Sequence, residues 1–231
     1  MPLSLSQLKR NFGSFTYEED PRREGAILID QHWIAAQIVQ LKTPFGRFPC
    51  HKKVFCQMKG FVLEADNHAL IHDIGGIWVP RHILWDRRRP LSGHAFGCEM
   101  DINVRWGSDG PGSEINYGAN SYQPPQLIDI ARSWGFEWGG SWNSSKDGMH
   151  FAVVKPGVRT SCTGTLKLKD TGEQVKVLQR LLNYTGDSGL SADGVFGQLT
   201  NTEVLEFQGK HGLEVDGIVG KQTWEALLNW R

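Results

Sequence analysis

Two short segments of the sequence concentrate side chains able to bind a metal ion and move a proton. The first, residues 92–103, contains His94 and Asp101, and the second contains Asp147 and His150. A catalytic zinc site in a protein uses three ligands drawn from imidazole, thiolate and carboxylate groups and leaves a position open for water. His94, Asp101 and His150 would supply such a set, for one zinc ion per chain.

A carboxylate beside that set would complete a hydrolytic site. Asp147 lies three residues before His150, so a turn or an irregular strand end would hold both near one metal. Zinc lowers the pKa of a bound water, and a nearby carboxylate can take its proton. The spacing therefore predicts hydrolysis of an amide, with Asp147 as the base that later passes the proton to the leaving amine.

The other histidines are expected to be structural or surface residues, because an isolated histidine is seldom a ligand. They are His32, His51, His68, His72, His82 and His211.

Composition narrows the class of protein. Lys plus Arg equals Asp plus Glu at 25 each, which gives no electrostatic basis for binding nucleic acid or an anionic membrane. No apolar run approaches the roughly 18 residues of a membrane span. Residues 1–15 lack a continuous apolar stretch and charged residues 18–24 follow, so we expect synthesis in the cytoplasm without a signal peptide.

The four cysteines fit no common zinc-finger spacing. Free thiols are expected for all four, Cys50, Cys56, Cys98 and Cys162, because cytosolic proteins rarely hold disulfides. Cys50 and Cys56 are close enough in sequence for a disulfide after export.

The elements that must position the site indicate an α+β fold, in which helices surround a small antiparallel sheet. Apolar, β-rich segments predict strands at residues 26–29, 34–41 and 149–154. Apolar residues at helical spacing predict helices at 54–70 and 126–134.

The composition changes near residue 156, where a run of small polar residues indicates a linker. The sequence predicts a catalytic domain at 1–156, a linker at 157–167 and a small domain at 168–231. We call the last segment the tail.

The tail contains an internal repeat. Residues 193–200 and 216–223 each read Asp-Gly, two apolar residues, Gly, two variable residues and Thr. Glycine suits tight turns with positive φ. The pattern predicts three short helices joined by two similar loops, with Thr200 and Glu203 as a capping box.

These tail residues resemble the peptidoglycan-binding domain found at the ends of many cell-wall hydrolases. The resemblance spans nearly the whole tail and rests on both Asp-Gly units and on Gly172, Val175, Leu178, Gln179, Leu182, Phe207, Gln208, Gly212, Leu213 and Trp224. It implies binding to peptidoglycan and a three-helix fold.

The catalytic segments resemble the zinc D-alanyl-D-alanine carboxypeptidase and L-alanyl-D-glutamate peptidase family. Residues 92–101 match its Ser-x-His-x-x-Gly-x-x-x-Asp signature, and residues 138–150 match its Trp-Gly-Gly-x-Trp and Asp-x-x-His region. Residues 75–81 resemble its endolysin branch. The resemblance implies zinc ligation by His94, Asp101 and His150, and it implies that Asp147 is the general base.

Two positions depart from that family's pattern. Glu99 replaces the small residue usual two positions before the metal Asp, and Ser141 replaces an Asp often found between the tryptophans. Neither departure removes a proposed ligand or the base.

Further residues are candidates for contacts with substrate. Arg81 could hold a substrate carboxylate or the developing oxyanion. Ser92, Trp138 and Trp142 are candidate substrate-binding residues, although tryptophans are more often core residues. Arg87–Arg89 is expected to be a solvated loop, and residues 109–114 a Gly-rich loop rather than a second cation site.

The resemblance implies a zinc metallopeptidase that hydrolyses the peptidoglycan stem peptide, an endolysin cleaving between L-Ala and D-Glu. We expect the protein to be a monomer. It would act on the wall, in the periplasm or outside the cell, after release. The alternatives are a D-alanyl-D-alanine carboxypeptidase or dipeptidase, and a non-catalytic wall-binding protein on a decayed peptidase fold.

Overall fold

A computed structural model of the protein describes residues 2–107, 110–118, 121–156, 164–186 and 188–229. Its helices are α1 (Leu5–Phe12), α2 (Gln31–Gln37), α3 (Phe55–Asn67), α4 (Pro125–Ser133), α5 (Glu173–Gly186), α6 (Gln198–Lys210) and α7 (Lys221–Asn229). Its strands are β1 (Tyr17–Glu19), β2 (Ile27–Ile29), β3 (Ile38–Thr43), β4 (Gly46–His51), β5 (Ile74–Gly76), β6 (Glu99–Ile102), β7 (Arg105–Gly107), β8 (Gly110–Ile115), β9 (Phe136–Trp138) and β10 (His150–Val153). This confirms the α+β class.

Three features of the sequence analysis fall partly or wholly outside the described residues. They are most of the expected linker (residues 157–163), Cys162 within it, and Asp109 of the expected Gly-rich loop. Residues 110–114 lie in β8, so the loop prediction is wrong there.

The central sheet has four antiparallel strands in the order β5-β6-β10-β9. Side chains alternate between the faces of a strand. Phe151 lies opposite Met100 in the register, and its ring centroid is 5.4 Å from that of Phe61 in α3. One face of the sheet therefore packs on α3, and the other presents the polar residues of β6 and β10.

Helix α3 is held between this sheet and α4. A Cβ at Gly60 would lie 2.0 Å from the ring of Trp134, so only glycine admits the indole there. Trp134 is fully buried, and its Nε1 donates a hydrogen bond to Glu64 at 2.7 Å. The close contact gives the sheet a rigid backing.

The strand predicted at residues 34–41 is wrong over its first half. The chain forms α2 from Gln31 and turns into β3 only at Ile38. The Asp30 carboxylate accepts a hydrogen bond from the backbone N–H of Trp33 at 2.8 Å, a helix N-cap that outweighs the β-branched composition that follows.

Cys50 and Cys98 are buried free thiols, so the disulfide between Cys50 and Cys56 is not formed. Burial raises the pKa of the Cys50 thiol to about 12, which makes it unreactive.

The tail forms the three helices expected, and a buried glutamine secures its first Asp-Gly loop. Gln179 Nε2 donates to Asp193 Oδ1 at 2.9 Å, to the carbonyl of Val195 at 3.1 Å and towards Thr200 Oγ1 at 3.1 Å. Its Oε1 accepts from the backbone N–H of Gly194 at 2.9 Å. All the polar atoms of the amide are thereby used inside the fold.

The second loop repeats this arrangement. Gln208 Nε2 donates to Asp216 Oδ1 at 2.9 Å, to the carbonyl of Ile218 at 3.0 Å and towards Thr223 Oγ1 at 3.3 Å. Its Oε1 accepts from the N–H of Gly217 at 3.0 Å. The sequence repeat is thus a structural repeat of a glutamine and the loop that it closes.

The capping box predicted for Thr200 and Glu203 is wrong. Helix α6 begins at Gln198 with Gly197 as N-cap, so Thr200 lies inside the first turn. Its buried hydroxyl donates to the carbonyl of Val195 and accepts from Gln179. The threonine therefore belongs to the loop closure and does not cap the helix.

Helix α5 of the tail packs against α3. Arg180 Nε lies 3.4 Å from Glu64 Oε2, and the hydroxyl of Tyr184 donates to Asp66 Oδ2 at 3.1 Å. Among the described residues, no helix combines the length and hydropathy needed to cross a bilayer.

Candidate metal centre and catalytic cleft

His94 lies in a short 3₁₀ turn, Gly93–Phe96, whose N-cap is Ser92. The turn ends at Gly97, where a left-handed conformation (φ 67°) returns the chain towards β6. His94 Nδ1 lies 3.0 Å from the carbonyl oxygen of Ile77. A carbonyl can only accept, so Nδ1 carries the proton and Nε2 presents its lone pair.

The pairing of β6 and β10 brings the other two predicted ligands to His94. His150 lies directly opposite Asp101 in the register, which places both side chains on one face. Asp101 Oδ1 is 3.1 Å from His150 Nδ1 and 3.3 Å from His94 Nε2. The two imidazole nitrogens are 3.2 Å apart.

This spacing suits a zinc ion. Ligand atoms about 2.0–2.1 Å from a tetrahedral zinc stand roughly 3.3–3.4 Å from one another. The three separations between His94, Asp101 and His150 are 3.1, 3.2 and 3.3 Å. Two nitrogens and one carboxylate oxygen therefore form three corners of a tetrahedron that fits this metal.

Glu99 brings a second carboxylate to the same place. Its Oε2 lies 3.6 Å from His150 Nε2, the nitrogen turned away from Asp101. Ligand atoms of Glu99, His94 and His150 lie within 4.8 Å of one another, so the Glu99 carboxylate is also near enough to form a metal-binding group with the two histidines. In the sequence, Glu99 stands out only as a departure from the family pattern. Its position two residues before Asp101 in a strand was the signal that both share a face.

The acidic side chains among His94, Glu99, Asp101 and His150 favour a positive charge in their midst. Burial alone would lower the pKa of His150, but the charge of Glu99 and the hydrogen bond with Asp101 raise it to about 10. Burial would raise the pKa of Glu99, but the charge of His150 lowers it to about 2. The pKa of Asp101 lies below its usual range, because the His94 and His150 contacts outweigh its burial. The pocket therefore stabilises a cation, whether a proton or a metal ion.

Asp147 is held beside His150 by a tight turn, as its spacing predicted. The backbone N–H of His150 donates to the carbonyl of Asp147 at 3.3 Å, and that of Asp147 donates to the carbonyl of Gly139 at 3.2 Å. A Cβ at Gly139 would lie 2.5 Å from the carbonyl oxygen of Asp147 and 3.3 Å from the Cβ of His150. The glycine therefore allows the turn to pack closely.

One oxygen of the Asp147 carboxylate has no hydrogen-bond partner within the described part of the chain. That oxygen, Oδ1, is buried, and burial raises the pKa of the side chain. Buried polar atoms in native proteins are nearly always satisfied. This atom is therefore available to a water molecule or a ligand in the cleft.

An open cleft of about 440 Å³ reaches the cluster. Glu99, Asp147 and His150 line it together with Arg81, Ser92 and Trp142. Residues 2–5 and Leu8 of the N-terminal segment form part of its apolar wall. The cleft is large enough to admit a few residues of a peptide.

The four candidate substrate-contacting residues fall into two groups. Arg81 lies in the cleft, where its charge acts to lower the pKa of Asp147, and the Trp142 ring lies 5.3 Å from that of His150. Ser92 donates from its hydroxyl to Glu99 Oε2 at 3.3 Å, and Trp138 donates from Nε1 to the carbonyl of Gly148 at 2.7 Å. Ser92 and Trp138 thus support the loops of the cluster.

Comparisons with known proteins find two family models that match separate parts of the chain. Residues 85–153 match the family described as D-alanyl-D-alanine carboxypeptidase, and residues 171–227 match the putative peptidoglycan binding domain. A comparison with curated proteins gives no significant match.

Several solved structures match part of this chain. Three of them each cover 29% of it with a TM-score of 0.28: a peptidoglycan-binding protein from Clostridioides difficile in complex with glutamine hydroxamate (37% identity, 42% of that chain), the Burkholderia AP3 phage endolysin (43%, 26% of that chain) and the SleB N-terminal domain (38%, 90% of that chain). The chain thus spans less than half of the first two. These TM-scores carry no conclusion about the overall fold.

The two matched segments coincide with the segments that carry the sequence motifs. A segment similar to the D-alanyl-D-alanine carboxypeptidase family is followed by one similar to a peptidoglycan-binding domain, and this pairing supports a cell-wall peptidase or binding role.

Proposed function

We propose that this chain is a zinc-dependent peptidase that hydrolyses an amide bond in the peptidoglycan stem peptide, with the bond between L-Ala and D-Glu as its first candidate. It would act as an endolysin, on the wall after release from the cytoplasm. The observation that carries the proposal is the convergence of His94 Nε2, Asp101 Oδ1 and His150 Nδ1 within 3.3 Å of one another.

The residues of the cleft divide the chemistry between them. His94, Asp101 and His150 would hold the zinc ion, which when bound supplies Lewis acidity towards a carbonyl and lowers the pKa of water. Asp147, with a buried and unpartnered Oδ1, would take a proton from the attacking water and give it to the leaving amine. Arg81 would stabilise negative charge that develops at the carbonyl.

Charge in the cleft supports a substrate that carries a carboxylate. Arg81 and Arg89 both line the cleft, and a guanidinium pairs well with a carboxylate. D-Glu has such a group beside the first candidate bond. A terminal D-Ala has one as well, so a D-alanyl-D-alanine carboxypeptidase or dipeptidase is the alternative activity.

The tail would contribute by tethering the enzyme to its insoluble substrate. Binding at a second site raises the local concentration of the bond to be cleaved without any new contact at the reacting atoms. Residues 168–231 are proposed as this binding domain, joined to a catalytic domain of residues 1–156 by a linker of residues 157–167.

Digestion of purified peptidoglycan tests the proposal. Mass spectrometry of the soluble products should find new N-terminal D-Glu or D-isoGln ends, and a chelator should abolish them until zinc is restored. Loss of terminal D-Ala would instead identify the alternative activity. His94→Ala is the matched control, because it removes a ligand and leaves the tail intact.

The same control separates an enzyme from a wall-binding protein. His94→Ala should still sediment with the wall while releasing no peptides. If the unaltered protein sediments but releases nothing in the presence of zinc, the peptidase proposal is wrong and a binding role remains.

A further inference from the structure

We propose that Glu99 is a positioning residue for His150, holding the imidazole so that Nδ1 faces the metal. The inference rests on the proposed function, because it assumes that His150 is a ligand. It assigns a role to the one acidic residue of the cluster that departs from the family pattern.

The geometry gives the two nitrogens of His150 different carboxylates. Nδ1 lies 3.1 Å from Asp101 Oδ1, and Nε2 lies 3.6 Å from Glu99 Oε2. A histidine that binds a metal through one nitrogen carries a proton on the other, which commonly points to a carboxylate or a carbonyl. The 3.6 Å contact is longer than a hydrogen bond but within ion-pair distance. Glu99 thus lies where the Nε2 proton of His150 must point.

The two ring nitrogens of His94 also have different partners. Its Nε2 faces Asp101 at 3.3 Å, while Nδ1 donates to the carbonyl of Ile77 at 3.0 Å. Each imidazole therefore turns one nitrogen towards Asp101 and the other towards an acceptor on its far side, which is Ile77 for His94 and Glu99 for His150. Because Glu99 occupies the outer place for His150, as Ile77 does for His94, we place its carboxylate outside the set of ligands.

The location of Glu99 is fixed by its surroundings. The residue is 7% exposed, and within the described part of the chain its polar partners are the hydroxyl of Ser92 at 3.3 Å and the ring of His150. A buried carboxylate is costly unless it is paired. The pairing with His150 therefore satisfies Glu99 while it orients the imidazole.

Gly93 makes room for this carboxylate. A Cβ at position 93 would lie 2.2 Å from both Cδ and Oε1 of Glu99 and 2.7 Å from Oε2. No atom of another residue is nearer to that point. Gly93 and Glu99 therefore form a matched pair, in which the absence of one side chain allows the other to reach His150.

Zinc affinity, measured by competition with a chelator, tests the role without using catalytic activity. Glu99→Ala should weaken zinc binding by roughly 10–100-fold, the usual effect of losing a group that orients a ligand. Glu99→Gln should weaken it less, because the amide oxygen still accepts from His150. Asp101→Ala, which removes a ligand, should weaken binding more than either.

The visible spectrum of the cobalt-substituted protein separates positioning from ligation. Glu99→Gln should retain the absorption bands of the unaltered protein, and Asp101→Ala should change them. If Glu99→Gln alters the bands as Asp101→Ala does, Glu99 is a ligand and the inference is wrong. Unchanged zinc affinity in Glu99→Ala would also overturn it, without affecting the proposed function. Failure of the unaltered protein to bind zinc would overturn both.

A double-mutant comparison tests the matched pair. Gly93→Ala should weaken zinc binding in the protein that has Glu99, because the added Cβ displaces the carboxylate. In the Glu99→Ala background the same change should have little further effect. Equal losses in the two backgrounds would show that Gly93 acts independently of Glu99 and would remove this support.

Discussion

The tail and the catalytic cleft both contain buried polar side chains, but these side chains are hydrogen-bonded within the tail and only partly so within the cleft. In the tail, Gln179 and Gln208 are buried with each amide bonded on both its nitrogen and its oxygen. In the cleft, one buried oxygen of Asp147 has no hydrogen-bond partner among the described residues, and the side-chain atoms of His94, Asp101 and His150 lie within 3.3 Å of one another. Buried polar groups that hydrogen-bond to one another stabilise a fold. Buried polar groups that have no protein partner indicate a site where a ligand binds.

The difference predicts which substitutions affect chemistry and which affect stability. Changes in the cleft should reduce turnover or metal content with little loss of stability. Changes at the tail glutamines should reduce stability and leave the zinc site intact. Three measurements test this separation.

The largest effect is expected at Asp147. Asp147→Asn keeps the shape of the side chain and removes the base, so turnover should fall by roughly 10²–10⁴ while zinc stays bound. The free energy of unfolding should be unchanged or higher, because a buried carboxylate without a partner is replaced by a neutral amide. Peptide release, zinc content and urea unfolding of the same preparation measure the three quantities.

Asp101→Ala is the counterpart, since it removes a proposed ligand and should weaken zinc binding strongly. The opposite pattern, in which Asp147→Asn loses the metal and Asp101→Ala keeps it, would exchange the roles of the two residues.

An intermediate effect is expected at the tail glutamines. Gln179→Leu leaves the N–H of Gly194 and the hydroxyl of Thr200 buried with fewer partners, and should lower the free energy of unfolding by roughly 2–4 kcal/mol. Gln208→Leu should act similarly through the second loop. Urea unfolding measures both, and zinc content should not change.

Gln222→Leu is the matched control for these variants, because Gln222 is exposed in α7. If all three leucine variants unfold alike, the buried amides do not stabilise the loops and the contrast between tail and cleft fails.

The smallest effect is expected in how the free energy of unfolding changes at acidic pH. The hydrogen bond from Gln179 lowers the pKa of Asp193, and the backbone N–H of Ile218 lowers that of Asp216, both from an ordinary value of 3.8. A lowered folded-state pKa means that the ionised form is favoured on folding. The stabilisation is complete above pH 3.8 and is lost as the pH falls through the lower folded-state pKa.

Replacing both residues, Asp193→Asn with Asp216→Asn, should therefore reduce the loss of stability between pH 5 and pH 3. Urea midpoints of the unaltered and doubly substituted proteins at the two pH values measure the difference. An identical acid dependence would show that the two aspartates are not part of the effect.

Sequence reasoning went furthest where chemistry fixes both residue type and spacing. The predicted ligands His94, Asp101 and His150 do converge, because a strand pairing and a glycine-terminated turn bring distant segments together. The turn before His150 also holds Asp147 as its spacing required. Their roles remain predictions until metal and turnover are measured.

Prediction from the sequence was incomplete or wrong in two situations. In one, the deciding contact joins residues distant in sequence. In the other, a helix N-cap opposes the strand preference of the residues that follow. The contact of Glu99 with His150 depends on the pairing of β6 with β10, which joins segments about 50 residues apart. Thr200 has the spacing of a capping residue, but its hydroxyl is engaged by Gln179 from the preceding helix. Residues 34–37 lie beside β-branched residues, which favour a strand. They are nevertheless helical, because Asp30 caps the N-terminus of α2.

The contact between Gly93 and Glu99 also couples the residues that the two positions can accept. With the Glu99 carboxyl group in its present place, a Cβ at position 93 would lie 2.2 Å from it, so a larger residue at 93 requires that group to move. A small residue at position 99 would remove this constraint. The tolerance of one position therefore depends on the residue at the other, and a survey of substitutions at 93 should give different results in the two backgrounds.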